Sequence, residues 1–168
     1  GIDRRVSSGF CGCGDTIKAA RAALHYWEEP VSVERAEAAL FSSPAEPEML
    51  FLSEHLISQG TLGKELSPKR LGEIFLSLQE QGAHNIDLIT ATQFLPQILP
   101  ALDFVKHKLH IPVIYNCGGY EKTETLALLK DYIDIYLPDL KYFDSALSWR
   151  YSKAKNYFEV ASEAIPYM

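Results

Sequence analysis

Ile86-Asp87-Leu88-Ile89-Thr90 and Ile111-Pro112-Val113-Ile114-Tyr115 decide the fold. Each is a short apolar run of strand character. Between them, the stretch from Phe94 to Leu109 reads as a helix. Upstream, Ser67-Pro68 is a good helix start, with Ser67 as N-cap and Pro68 at the first helical position. Leu71, Ile74, Phe75 and Leu78 follow at helical spacing, and Gly82 ends that helix. Downstream, Gly118-Gly119 ends the second strand, and Glu121 to Leu129 is helical. Ile133 to Leu137 predicts a third strand, Ser145 to Lys153 a helix and Tyr157 to Ile165 another. Strands alternating with helices of this length imply right-handed βαβ units, a parallel sheet and the α/β class.

Such a sheet either closes as part of a barrel or stays open, and in both cases ligands lie beyond the carboxyl ends of the strands. Polar residues that follow the strands are therefore the candidates: Thr90-Ala91-Thr92-Gln93, Asn116-Cys117-Gly118-Gly119 and Asp139-Leu140-Lys141. The first 64 residues read differently. Gly9 to Gly14 is a loop, Thr16 to Glu29 predicts a strong helix, and Val33 to Leu40 is compatible with a helix that Ser42-Ser43-Pro44 breaks. Met49 to Ile57 has no clean period. Two regions result: a loop and helix over 1–30, and the α/β region over 31–168, of which 31–56 is the aberrant part. The end, Ala161 to Met168, reads as a helix cut short at Ile165-Pro166.

The chain has 168 residues, enough for one domain with a sizeable core, and 47% hydrophobic against 23% charged residues is an ordinary globular balance. A net charge of −6 argues against a nucleic-acid partner. No apolar run approaches the roughly 20 residues of a membrane helix, and no secretory signal follows Gly1-Ile2-Asp3-Arg4-Arg5. Three cysteines, Cys11, Cys13 and Cys117, are an odd number without a disulfide framework, so a cytoplasmic location is expected.

Each candidate has a plain structural alternative. Asn116 with Gly118 and Gly119 lets a ligand approach the backbone closely, or makes a simple turn. Asp139 and Lys141, two apart, share one side of an extended chain; Asp can hold a cation or amine and Lys a carboxylate, or they form a surface pair. Thr92 either meets a ligand or caps the Phe94 helix. Cys117 is expected to pack, and Cys11 and Cys13 lack the two further ligands a zinc site needs. His25 and His84 are expected in structural hydrogen bonds, and Tyr26, Trp27, Phe75, Phe94 and Phe104 in the core.

Four separated phrases carry a resemblance: Ala22-Ala23-Leu24-His25-Tyr26-Trp27-Glu28-Glu29-Pro30; Gln81-Gly82-Ala83-His84-Asn85-Ile86 with Thr90 and Thr92; Tyr115-Asn116-Cys117-Gly118-Gly119-Tyr120-Glu121; and Asp134-Ile135-Tyr136-Leu137-Pro138-Asp139-Leu140-Lys141-Tyr142. In this order they resemble the pyruvate formate-lyase-activating-enzyme-like branch of the radical S-adenosylmethionine proteins. The resemblance covers most of residues 1–165 except about 31–55. It implies a partial (β/α) barrel of the TIM type, incomplete at its C-terminus, a metal-binding 4Fe-4S iron–sulfur cluster, and S-adenosylmethionine cleaved to a 5′-deoxyadenosyl radical. That is oxidoreductase chemistry, which activating enzymes direct at a protein substrate. Thr90, Thr92, Asn116, Gly118, Gly119, Asp139 and Lys141 fall where such proteins bind S-adenosylmethionine.

The family's Cys-x3-Cys-x2-Cys motif precedes a phrase matched here by Ile57-Ser58-Gln59-Gly60. Counting back, the cysteine positions fall on Ala45, Met49 and Leu52. Three thiolates are needed to anchor the cluster with one iron open, so no cluster and no intact catalytic residue is expected. An out-of-frame segment over about 33–55 explains the loss: codons CTG TTT CTG TCA GAA for Leu50 to Glu54, shifted by one base, read Cys-Phe-Cys-Gln. The coding DNA decides this. Other readings are a cluster-free module binding S-adenosylmethionine or a nucleotide, a hydrolase or lyase using Asp139 and Lys141, and a non-functional fragment with an open sheet edge.

Overall fold

The structure is a computed structural model that describes residues 17–25, 37–42 and 64–168, with side-chain surroundings from Leu66 onward. Six strands, β1 (Ile17–His25), β2 (Glu37–Ser42), β3 (Lys64–Leu66), β4 (Ile86–Ile89), β5 (Val113–Cys117) and β6 (Ile135–Pro138), form one sheet in the order β3-β1-β2-β4-β5-β6. β1 pairs antiparallel with β2 and β3, while β2, β4, β5 and β6 run parallel. The helices are α1 (Pro68–Glu80), α2 (Leu95–Val105), α3 (Thr123–Leu129), α4 (Ser145–Ser152) and α5 (Tyr157–Ala164). The α/β class and the three expected strands after residue 80 are as the sequence indicates.

The N-terminal region departs from that reading. Residues 17–25 form a strand rather than a helix, and residues 37–42 a strand where Val33 to Leu40 looked helix-compatible. Alanine favours a helix by only a few tenths of a kcal/mol per residue, and β1 is paired on both edges, so ladder formation outweighs local propensity. Ala45, Met49, Leu52, Cys11, Cys13, Tyr26 and Trp27 lie outside the described residues, and of His25 only the strand backbone is described.

α1 begins as its sequence dictates: Ser67 Oγ accepts the backbone N–H of Arg70 at 3.2 Å, and Pro68 occupies the first turn. Its inner face, Leu71, Phe75 and Leu78, is buried, each side chain contributing about 1.5–3 kcal/mol. Gly72 brings α1 close to α2: a Cβ there would lie 2.9 Å from Val105 Cγ1 and 3.0 Å from the Ala101 carbonyl. Phe104, expected in the core, is instead half exposed, because α2 turns Ala101, Leu102 and Val105 inward.

Strand alternation divides the sheet into two faces. Ile86, Leu88, Val113, Tyr115 and Cys117 join the core cluster with residues of α1, α2, α3 and α5. Ile114, in the opposite phase, is equally buried but outside that cluster. It pairs with Asp87 and Ile135, and Asn116 pairs with Ile89 and Leu137, so these residues share the second face.

Candidate functional site

The carboxyl ends of β4, β5 and β6 stop side by side. Thr90 N–H donates to the Asn116 carbonyl at 2.9 Å, and Asp139 N–H donates to the Cys117 carbonyl at 2.8 Å. The three polar clusters named from sequence are thereby brought to one rim. Thr90 has φ 50°, left-handed for a β-branched residue, which costs about 1–2 kcal/mol. The turn after β4 is therefore held against its own preference.

The β5 and β6 exits are tied together by a residue the sequence reading placed only in a helix. Tyr157, the first residue of α5, has its hydroxyl 2.6 Å from the Gly118 carbonyl and 2.8 Å from the Asp139 carbonyl, and accepts the Lys141 N–H at 2.8 Å. Its one proton serves the two carbonyls in alternation. Tyr120 stacks on Tyr157, and Tyr142 meets its ring edge-on. Gly119 has φ 73°, and a Cβ there would stand 2.7 Å from the Asp139 carbonyl oxygen. Only glycine lets the two exits approach this closely. Lys141 Nζ lies 3.6 Å from Asp139 Oδ2, and its aliphatic stem passes within 3.8 Å of where a Gly118 Cβ would be. Gly118, Gly119, Asp139 and Lys141 thus form one group. Asp139 is well exposed, so the ion pair adds little to stability.

Tyr157→Phe keeps the ring and removes the tie. The loss of hydrogen bonds at a residue 3% exposed is expected to cost about 2 kcal/mol, read as a shift in the urea midpoint with an unchanged slope.

Thr92 does not make the helix cap that is its structural alternative. It opens a 3₁₀ turn (Thr92–Phe94), and the N-cap of α2, Phe94, has no side-chain hydrogen bond. Its hydroxyl is buried on the helix side of the sheet, 2.8 Å from Tyr115 Oη and donating to Glu121 Oε1 at 2.5 Å. Tyr115 Oη also lies 3.3 Å from Glu121 Oε1. Glu121 is 5% exposed, and its Oε2 has no hydrogen-bond partner. Burial pushes the Glu121 carboxyl up to about 7, against the opposing pull of the Thr92 and Tyr115 hydrogen bonds. Tyr115 is raised well above its ordinary value, first by burial and then by the Glu121 charge. In the sequence Tyr115 marks the end of a strand and Glu121 the start of a helix, whereas Glu121 lies in the loop before α3 (Thr123–Leu129). The available signal was a carboxylate between a strand-ending Gly118-Gly119 and the helix at Thr123, where a short loop leaves it little room to reach water.

Cys117 is buried, and burial with the neighbouring Glu121 pushes its thiol up to about 12. It packs in the core, as expected, and its thiol is a weak nucleophile at neutral pH. Among the described residues no group of three or more His, Cys, Asp or Glu side chains could hold a metal ion, and no helix is long and apolar enough to cross a membrane.

No family model matches the chain, and no solved structure matches it. It is 27% identical over 168 residues to an uncharacterized protein of Methanocaldococcus jannaschii, covering 95% of this chain and 48% of the relative. The chain spans about half the length of the curated relative it matches.

Proposed function

We propose that this chain is a partial (β/α) barrel of the radical S-adenosylmethionine type that does not assemble a 4Fe-4S cluster, and that retains a strand-end site for S-adenosylmethionine or a related nucleoside. The barrel reading is carried by the sequence resemblance, and the parallel run is compatible with it. β2, β4, β5 and β6 run parallel with α2 and α3 on one face, an arrangement shared by a barrel segment and by one half of a doubly wound sheet, while β1 and β3 pair antiparallel beside it.

The observation that carries the site is the gathering of Gly118, Gly119, Asp139 and Lys141 around the Tyr157 hydroxyl. Asp139 and Lys141 supply the two opposite charges that an amino-acid zwitterion needs, and Gly118-Gly119 leaves backbone open to close approach. Thr90 and Asn116 border the same rim. The donor set does not fit the cluster. Ala45 and Leu52 have no ligating atom, and Met49 offers only a neutral thioether. Hydrogen-atom abstraction and the activation of a protein substrate are therefore not assigned to this chain.

Two measurements test this. Anaerobic incubation with iron and sulfide is expected to give no charge-transfer absorption; stoichiometric iron with that absorption overturns the cluster-free reading. Calorimetry without iron is expected to show binding of S-adenosylmethionine, weakened about tenfold or more in Asp139→Ala. Absence of binding at millimolar ligand overturns the site and leaves the non-functional-fragment reading.

A further inference from the structure

We propose that Glu121 is a proton-operated latch on the turn that leaves β4: carrying a proton, it holds Thr92 against Tyr115; without it, the turn loosens. The geometry is a short chain of buried groups. Tyr115 Oη meets Thr92 Oγ1 at 2.8 Å, and Thr92 Oγ1 donates to Glu121 Oε1 at 2.5 Å. Glu121 Oε2, without a partner, has nothing to solvate a negative charge. A proton there weakens the bonds that Oε1 accepts from Thr92 and Tyr115, but a full charge left unsolvated on Oε2 costs more and draws water into the space closed by Thr92.

The groups around Glu121 reinforce this. Tyr115 and Cys117 face it from β5, and both stay neutral. From the β4 exit and α2 the stretch Thr92 to Leu102 brings no ionisable side chain. Asp139 and Lys141, beyond β6, act on Cys117 with opposite signs. No cation is among the groups that shift Glu121, and burial dominates, so its carboxyl changes charge near pH 7.

The turn is an element that can respond. Thr90 is held at φ 50° and relaxes if released. Its N–H bond to the Asn116 carbonyl, the Phe94 N–H bond to the Ala91 carbonyl and the Leu95 N–H bond to the Thr92 carbonyl are local reporters of whether the turn is closed. The regulatory consequence, tighter ligand binding at low pH, rests on the strand-end site proposed above; the latch itself does not.

Amide hydrogen exchange without ligand, corrected for intrinsic rates, tests it. Protection at Thr90, Phe94 and Leu95 is expected to fall about tenfold or more between pH 6 and pH 8, while α1 amides keep theirs. In Glu121→Gln the difference between the two pH values is expected to vanish. Equal protection at both pH values in the natural chain, or a fall that persists in Glu121→Gln, overturns the proposal. A carbon-13 titration of the Glu121 carboxyl in the unaltered protein guards against a variant that does not fold. A midpoint near neutrality supports the latch, and one in the ordinary glutamate range overturns it. Calorimetry with S-adenosylmethionine at both pH values then separates the two readings, since the latch survives a negative binding result.

Discussion

Gly119→Ala is expected to destabilise the protein by about 3–4 kcal/mol, enough to consume much of a typical domain's stability. Two costs add. A non-glycine residue at φ 73° costs about 1 kcal/mol, and the new Cβ, 2.7 Å from the Asp139 carbonyl oxygen, forces the β5 and β6 exits apart. Because Tyr157 fixes both exits, the strain cannot be relieved by moving one of them alone. Two controls separate the costs. Gly82 has φ 89° with nothing near its Cβ position, so Gly82→Ala isolates the dihedral penalty at about 1 kcal/mol. Gly118 would meet only Lys141 side-chain atoms, at 3.8 and 3.9 Å, so Gly118→Ala is expected to cost less than about 1 kcal/mol. Urea unfolding of the three variants checks the order; a Gly119→Ala protein no weaker than Gly82→Ala would mean that the exits are not held together.

The second large effect is a fall in stability with rising pH. The folded Glu121 carboxyl titrates near 7, above its unfolded value, so the native state binds more protons than the unfolded state between the two. The stabilisation from its neutral form is complete below the unfolded value and is lost as pH rises through 7. About 3 kcal/mol is expected to disappear between roughly pH 4 and pH 8, at about 1.4 kcal/mol per unit along the steep part. For a domain of this size that is a melting shift of roughly 10 °C. Glu121→Gln keeps the acceptor that Thr92 and Tyr115 use and cannot ionise. Its stability is therefore expected to lack this slope, and the difference between the two proteins as a function of pH isolates the one group. A parallel pair of pH curves would show that Glu121 is already charged in the fold.

The parts of the fold legible in the sequence are those where local signals agree. Ser67, Pro68 and Gly82 bound α1, and the apolar runs of β4, β5 and β6 stand between helices of clear period. β1 and β2 were not legible, because alanine-rich stretches with Lys18, Arg21 and Glu37 carry helix propensity, and their strand state comes from pairing with distant partners. The rim was legible as a set of residue types after strands. What holds it was not. Tyr157 lies beyond α4 in the chain from the exits it joins, and the meeting of Thr92 with Glu121 across two loops leaves no spacing rule to read.

The position of β2 between β1 and β4 bears on the order in which the chain assembles. Ile86 finds Val113, and Ile114 finds Ile135, across single helix-sized excursions, whereas Ala38 must wait for Ile86 across a far longer stretch of chain. Closing the longer loop carries the larger entropic barrier. The units from β4 to β6 thus nucleate on their own, and the amino-terminal strands add to a template already laid down, which makes the β2–β4 seam slower to form than the β4–β5 and β5–β6 joints.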